Sequence, residues 1–210
     1  MGNAFQWQQL LRSEAKNRLL LGIAKDLSIV SDDLSSVISR IILRACEAMN
    51  SQRCTVFLKQ RDLLVSFATN QGPSNMEIIC IPLSTGIAGQ VVTNNQLINV
   101  PDCYACKLFN QDVDKKSGFR TNSMLCVPIK DTDTGDAIGA LQLINKMPSQ
   151  QQDSTLDGKH VVFGSDDEGL AESLCVYVGL CLSRNAAYLQ AVTERSKSQA
   201  LLEVAKDLTG

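Results

Sequence analysis

The chain has 210 residues, of which 44% are hydrophobic, 20% charged and 5% aromatic, a composition typical of one globular domain with flanking helices. Twenty Lys and Arg against 22 Asp and Glu give a net charge of -2, which excludes the broad basic surface that nucleic-acid binding requires. No apolar run approaches the roughly 20 residues that cross a bilayer, and residues 1–20 are too polar for a signal peptide. We therefore expect a cytoplasmic protein with no membrane span.

The hydrophobic pattern changes period along the chain, from helical spacing to strands and back. Apolar residues recur at helical spacing over residues 5–29 and 31–45, and short strands are predicted at 54–58, 63–67 and 77–81. A short helix follows at 86–92, then an irregular region at 101–121 and two strands at 123–130 and 137–145. Asp166, Asp167 and Glu168 open a long helix that runs toward Lys206. The pattern predicts an α+β fold, with an antiparallel sheet and long N- and C-terminal helices.

The eight cysteines and the single histidine limit the chemistry that the chain can perform. We expect reduced core thiols at six cysteines that lie among apolar neighbours: Cys46, Cys54, Cys80, Cys126, Cys175 and Cys181. Cys103 and Cys106 form the only C-x-x-C pair, without the second pair or the histidines that zinc would need. His160 lies in a polar stretch, so no multi-histidine metal centre and no catalytic triad is expected.

An internal repeat appears near the end of the chain. Residues 20–28 read LLGIAKDLS, and residues 201–209 read LLEVAKDLT, 181 positions later. A repeat that starts so late predicts a second copy of the domain immediately downstream in the parent protein.

Several segments together resemble a known family. Asn145-Lys146, then Phe163, then Asp167-Glu168 are similar to the N-K-x(n)-F-x3-D-E signature of GAF domains in cyclic-nucleotide phosphodiesterases. Further matching segments are 54–58, 86–89, 100–102, 117–121 and 125–130. The nearest resemblance is to the first GAF domain of the tandem-GAF phosphodiesterases of the trypanosomatid type.

The resemblance implies a domain organisation and a regulatory role. Residues 1–30 would form an N-terminal helix, residues 31–190 the GAF domain with helices on both faces of its sheet, and residues 191–210 a linker helix leading into a second GAF domain. A catalytic phosphodiesterase domain would follow in the parent protein. Its metal site needs several histidines, so this chain by itself is expected to bind a cyclic nucleotide and not to hydrolyse it. No cofactor besides this bound ligand is expected.

The phosphate end of the ligand is assigned to backbone amides at a helix start. Gly86 leads into Ile87 and Ala88, where free N–H groups at a helix N-terminus bind phosphate without a basic side chain. By resemblance, the ligand-contact positions here and in the following loop are Ile87, Ala88, Asn110, Asp114, Ser117 and Thr121.

The purine end of the ligand is assigned to neutral side chains. Relatives that bind cyclic GMP tend to carry an aromatic-acid pair where this chain has Thr69-Asn70, and a glutamate where it has Gln142. Thr55, Thr69, Asn70 and Gln142 could match the acceptor and donor of an adenine edge, although Asn and Gln amides can reverse their ends. The sequence therefore favours cyclic AMP over cyclic GMP.

The signature pair Lys146 and Asp167 is interpreted as a structural strut and not as a ligand contact.

Apolar positions predict a parallel homodimer through the terminal helices. They lie in the long C-terminal helix and in the N-terminal helix, around Trp7, Leu10 and Leu11. Three alternatives stay open: a GAF dimerisation module without ligand, a cyclic GMP sensor, and a thiol sensor that uses Cys103 and Cys106.

Overall fold

The computed structural model describes residues 34–70, 79–148 and 161–183, together with residues 14, 21 and 22. The helix predicted at 5–29 and the predicted stretch beyond residue 183 therefore lie almost wholly outside the described residues, as do His160 and the repeat.

One antiparallel sheet of six strands forms the centre of the fold, in the order β3-β2-β1-β6-β5-β4. The β1–β2 hairpin and the β5–β6 hairpin meet where β1 pairs with β6, so the two long strands lie in the middle of the sheet. The strands are β1 (Ser51–Gln60), β2 (Leu63–Thr69), β3 (Cys80–Pro82), β4 (Ile98–Val100), β5 (Met124–Lys130) and β6 (Ala137–Lys146).

Helices cover both faces of this sheet, which confirms the predicted α+β architecture. The described helices are α1 (Leu34–Ala48), α2 (Gly86–Asn94), α3 (Asp112–Ser117) and α4 (Ser165–Ser183), with a 3-10 turn at Cys103–Ala105. Helices α1 and α4 pack against one face together with Val56, Leu125 and Leu141. Helix α2 packs against the other face, together with Phe57, Cys126 and Ala140.

The segment predicted as irregular is the main difference between expectation and structure. Within residues 101–121 the chain forms the 3-10 turn and the short helix α3, and just before it lies β4. These elements are too short to show a hydrophobic period in the sequence. Their ends are fixed by individual residues instead. Asp102 Oδ1 accepts from the amides of Tyr104 and Ala105, and Gly118 ends α3 with a φ of 68°.

The position of α2 on the sheet depends on a glycine. A Cβ atom on Gly89 would collide with the backbone carbonyl of Leu83, so only glycine lets the helix lie this close to the end of β3. This close approach sets the distance between the N-terminus of α2 and the sheet.

The thiols follow the sequence prediction with one correction. All eight cysteines are present as thiols and not as disulfides, and Cys46, Cys54, Cys126, Cys175 and Cys181 are buried as predicted. Cys80 is exposed, because the three-residue strand β3 lies at the edge of the sheet. In the described part of the chain, no helix is long and apolar enough to cross a membrane.

Candidate functional site

A row of polar side chains crosses the α2 side of the sheet. Strand alternation decides the face: Cys54 and Val56 belong to the core under α1 and α4, so Thr55 points to the α2 side. Thr69 and Gln142 are the register partners of Thr55 on the two neighbouring strands. Three of the four predicted base-reading residues are therefore adjacent across β2, β1 and β6.

The hydrogen bonding of Gln142 leaves one atom of this row able to accept a bond from a ligand. Thr55 is only 7% exposed, and Gln142 Nε2 donates to Met124 Sδ at 3.3 Å, which leaves Gln142 Oε1 to accept a bond from a ligand donor. A site that must read a purine without water needs such polar groups, because each buried partner left unpaired costs about 1–3 kcal/mol.

Asn70, the fourth base-reading residue, does not join this row. Its Oδ1 accepts from the amide of Cys54 at 2.9 Å, and its Nδ2 donates to Cys46 Sγ at 3.1 Å and to the Gln52 carbonyl at 3.3 Å. Cys46 belongs to α1, on the opposite face of the sheet. The structure therefore does not bring Asn70 into the row: its side chain ties the end of β2 to β1 and α1.

Arg53 is a site residue that the sequence reasoning missed. It lies two positions before Thr55, so it points to the same side of β1, and its register partner Ile144 packs against the α2-side core. Its guanidinium carbon lies 3.5 Å from the centroid of the Phe119 ring. Partial burial lowers the Arg53 pKa, and the nearby Asp114 carboxylate opposes that shift. The period-2 alternation from Thr55 was the signal that could have revealed it.

The start of α2 presents backbone amides to the same side of the sheet. Gly86 begins the helix with a φ of 74°, and the side chain of the preceding Thr85 makes no cap bond but donates to the Pro82 carbonyl at 3.1 Å. The next two residues, Ile87 and Ala88, are buried in the α2-side core. Amides without a side-chain cap at a helix N-terminus are able to bind an anion.

Residues 103–121 cover the α2 side of the sheet, and we call them the cover segment. Cys103 is buried in the α2-side core, and Cys106 and Phe109 pack against it. Asp114, 6% exposed, holds the segment together: it accepts from Thr121 N at 2.7 Å, Thr121 Oγ1 at 2.8 Å and Tyr104 Oη at 3.1 Å. Asp114 and Thr121, both predicted as ligand contacts, thus bond to each other.

Asn110 and Ser117 are the other two predicted ligand contacts in the cover segment, and only the Asn110 side chain is described. Asn110 is exposed, and its Oδ1 accepts from the amide of Asp112 at 3.0 Å at the start of α3. The side chain of Ser117 lies outside the described part of the chain, so its predicted role stays a prediction.

The five signature residues connect β6, the cover segment and α4. Asn145 Nδ2 donates to the Arg120 carbonyl at 2.8 Å, and its Oδ1 accepts from the amide of Asn122 at 2.7 Å. Its φ of 56° explains the residue type, because asparagine tolerates the left-handed region. Asn145 therefore fixes the C-terminal end of the cover segment to the sheet.

Lys146 and Asp167 form the ion pair proposed as a strut, with Nζ and Oδ1 2.6 Å apart and side chains 17% and 16% exposed. Asp167 Oδ2 also accepts from the amide of Gly164 at 2.9 Å, and Phe163 is buried beneath the Lys146 ammonium at 5.8 Å. Glu168 Oε1 accepts from Asn99 Nδ2 at 2.7 Å, which ties α4 to β4. These contacts hold elements together and lie beside the polar row, not in it.

Cys103 lacks the electrostatics of a reactive cysteine. Burial raises the pKa of Cys103 to about 12, with further contributions from Cys106, Asp114 and Asp102. A reactive cysteine needs the opposite shift, because the thiolate is the nucleophile. The thiol alternative is therefore disfavoured.

A groove of about 780 Å³ lies on the other side of the molecule, between α4, β5 and the residues that follow α2. Val127, Glu172 and Cys175 are among its lining residues. None of the predicted ligand contacts lines it, so it is separate from the polar row.

Comparison with known proteins places the chain in a family. The family model described as "GAF domain" matches residues 33–182. The chain belongs to the GAF domain family. The match covers the whole described sheet and α4, which agrees with the resemblance carried by the signature residues.

The similar curated proteins include cyclic-nucleotide phosphodiesterases. The chain is 31% identical over 217 residues to dual 3',5'-cyclic-AMP and -GMP phosphodiesterase 11A of Takifugu rubripes, with 98% of this chain and 23% of the relative covered. It is 28% identical over 219 residues to dual 3',5'-cyclic-AMP and -GMP phosphodiesterase 11 of Drosophila melanogaster, with 95% and 14% covered. The chain thus spans less than a quarter of the length of these relatives.

Solved GAF structures share the fold. The GAF domain of a phosphoenolpyruvate-protein phosphotransferase from Acinetobacter aligns with a TM-score of 0.64 at 17% identity, over 86% of this chain and 98% of that one. Free methionine-R-sulfoxide reductase from Neisseria meningitidis aligns with a TM-score of 0.61 at 19% identity, over 85% and 93%. At such identities the likeness shows the fold alone.

Proposed function

We propose that this GAF domain is the regulatory cyclic-nucleotide sensor of a cyclic-nucleotide phosphodiesterase, and that it prefers cyclic AMP to cyclic GMP. The observation that carries the proposal is the polar row of Thr69, Thr55 and Gln142 on the α2 side of the sheet. The similarity to phosphodiesterases named for both nucleotides supports the ligand class.

The preference for cyclic AMP is proposed from the charge of the row. Guanine presents N–H donors at N1 and N2, which a carboxylate would accept, whereas adenine presents an acceptor at N1 and a donor at N6. Gln142 Oε1 can accept from the adenine amino group and the Thr55 hydroxyl can donate to a ring nitrogen.

The proposed binding mode places the phosphate at the N-terminus of α2 and the purine at the polar row. The amides at the N-terminus of α2, from Gly86 to Ala88, would bind the phosphate, and the polar row would take the purine. The cover segment would close over the ribose and exclude water. In this mode Asp114 and Thr121 act by shaping the cover segment through their mutual bonds.

The place of the chain in its parent protein belongs to the same proposal. We place it as the first of two GAF domains, upstream of a catalytic domain, because residues 20–28 recur at 201–209. The chain itself would bind and not hydrolyse the nucleotide. The trypanosomatid type stays a prediction from the sequence resemblance.

Isothermal titration of the nucleotide-stripped chain with cyclic AMP and with cyclic GMP tests the proposal. We expect cyclic AMP to bind at least about ten-fold more tightly, a difference of about 1.4 kcal/mol. Gln142→Glu should reduce or reverse this ratio, whereas the control Gln96→Glu, at an exposed residue after α2, should preserve it. A cyclic GMP preference would overturn the base-reading argument. The lack of any heat with a cooperatively folded protein would favour the dimerisation module instead.

A further inference from the structure

The contact between Arg53 and Phe119 joins the sheet to the cover segment through side chains alone. Arg53 belongs to β1, in the middle of the sheet, and Phe119 follows α3 in the cover segment. With its guanidinium carbon over the ring and 3.5 Å from the ring centroid, Arg53 lies well within the distance at which cation-π attraction acts. Both residues are only partly exposed, so solvent screens this attraction less than at an open surface.

The cover segment is cross-linked within itself and can move as one unit. The Asp114 carboxylate connects Tyr104 near its start with Thr121 at its end. The guanidinium of Arg120 lies 4.1 Å from the centroid of the Tyr104 ring and adds a second internal contact. A displacement at Phe119 is therefore transmitted to the whole segment and is not absorbed locally.

Part of the predicted site is closed to solvent on the side of the sheet that the cover segment occupies. Thr55, Ile87 and Ala88 are 7%, 3% and 2% exposed, whereas Thr69 and Gln142 are partly exposed. Movement of the cover segment would widen access to the buried positions. The end of the segment is held by Asn145, which binds the Arg120 carbonyl and the Asn122 amide. Phe119 directly precedes this fixed end, and its contact with Arg53 adds to the Asn145 bonds that hold the segment against the sheet.

We propose that Arg53 is a positioning residue that acts through Phe119 as a latch: it holds the cover segment closed and thereby sets the rates at which ligand enters and leaves. The latch is a property of the ligand-free fold, and only the identity of the ligand rests on the proposed function. A latch of this kind changes association and dissociation rates together, whereas a direct ligand contact changes mainly the dissociation rate and the affinity.

Hydrogen exchange of the ligand-free full chain tests the latch without any ligand. Arg53→Met keeps the length of the side chain and removes the cation, so the amides of residues 103–121 should exchange about five-fold faster. Phe119→Leu should have the same effect, and the double variant should add nothing. Arg61→Met, the same substitution at an exposed turn residue, is the matched control, and residues 137–146 are the internal reference.

A chase experiment with radiolabelled cyclic AMP gives the functional readout. In Arg53→Met the dissociation and association rates should both rise about five-fold, so that the Kd changes less than about two-fold. Unchanged exchange of residues 103–121 would overturn the proposal. A weakened Kd with unchanged exchange would also overturn it, because it would make Arg53 a direct ligand contact. If the wild-type chain binds neither nucleotide, the proposed function fails, and the exchange experiment still decides the latch.

Discussion

The Asp114 carboxylate is the residue on which the internal structure of the cover segment depends. It is almost completely buried and accepts three hydrogen bonds, two of them from Thr121. Thr121→Val removes the hydroxyl donor without changing the shape of the side chain. We expect it to lower the free energy of unfolding by about 1–3 kcal/mol, the range for a bond to a buried charged group.

Urea unfolding monitored by circular dichroism measures this loss. Thr132→Val is the control, because Thr132 is exposed and its backbone amide, not its hydroxyl, bonds to Ser183. Equal midpoints for the two variants would contradict the role given to Asp114. The Thr121→Val variant should also bind cyclic nucleotide more weakly, since the cover segment loses one of its internal bonds.

The cysteines differ in reactivity in a way that separates a nucleotide sensor from a thiol sensor. Because the pKa of Cys103 is raised to about 12, only on the order of one thiol in 10,000 is ionised at pH 8. Cys80 is exposed at the sheet edge. Iodoacetamide labelling at pH 8, followed by peptide mass spectrometry, should modify Cys80 first and leave Cys103 unmodified. Preferential labelling of Cys103 would restore the thiol alternative.

At the scale of elements, close backbone contacts fix how α4 lies on the sheet. A Cβ atom on Gly179 would collide with the carbonyl of Lys130, whereas a Cβ atom on Gly169, in the same helix, would meet nothing within 4 Å. Gly179→Ala should therefore push α4 away from β5 and destabilise the fold by about 1–3 kcal/mol.

The matched substitution in the same helix should have the opposite sign. Gly169→Ala gains helix propensity at an open position and should stabilise by about 0.5–1 kcal/mol. Thermal unfolding of the two variants under identical conditions gives the comparison. Similar melting temperatures would show that the backbone contact does not fix the helix.

The ion pair between Lys146 and Asp167 joins the end of β6 to the start of α4. Asp167→Ala would leave the Lys146 ammonium without its partner and would also remove the bond to the Gly164 amide. Since both side chains are mostly buried, we expect a loss of about 3 kcal/mol, the lower end for a broken buried pair. Cyclic nucleotide binding should be lost indirectly.

A double replacement of the pair distinguishes the strut from a ligand contact. Replacing both partners, Lys146→Met with Asp167→Leu, removes the unpaired charge and should recover part of the stability and of the nucleotide affinity. Normal affinity in a well-folded Asp167→Ala variant would contradict the indirect role. An affinity that stays lost when stability recovers would instead point to direct contact with the ligand.

The strands were predictable because period-2 alternation is a strong local rule, and it places Thr55 and Gln142 on one face. The pair of Lys146 and Asp167 was predicted from the resemblance to the family signature, since no local rule joins residues 21 positions apart. Asn70 directly follows Thr69, and successive residues along a strand point to opposite faces, so the two do not share the row.

The cover segment was the least predictable part of the site. Its conformation is set by bonds from Asp102 and Asp114 to backbone and side-chain donors, and such bonds leave no hydrophobic period in the sequence. Arg53 was overlooked for a related reason: its importance arises from Phe119, a residue 66 positions away that only the folded chain brings to it.

In the whole molecule, the candidate site and the long helices lie on opposite faces of the sheet. The α2 side carries the polar row and the cover segment, whereas the opposite side carries α1 and α4. The signature residues connect these sides, because Asn145 holds the cover segment and its neighbour Lys146 holds α4. A change in the cover segment can therefore shift α4, and a coupling of about 1–3 kcal/mol would suffice for regulation.

A shift of α4 can regulate activity only if α4 acts on another part of the assembly. The sequence predicts a second copy of the chain as that partner. The predicted terminal helices lie outside the described residues, so the predicted dimer rests on the sequence alone, on the apolar positions Trp7, Leu10 and Leu11. Outside that region, Leu43 of α1 and Val176 of α4 are 46% and 66% exposed, which is apolar surface on the same side as α1 and α4.

Sedimentation velocity of the full chain at tens of micromolar should give the mass of a dimer. Changing Leu10 and Leu11 together to Asp should yield monomers, since paired carboxylates would have to lose their hydration in the interface. Leu108→Asp, at an exposed residue of the cover segment, should leave the dimer intact. A monomeric wild-type chain would remove the predicted partner, and ligand-driven movement of α4 would then have to act on the next domain of the same polypeptide.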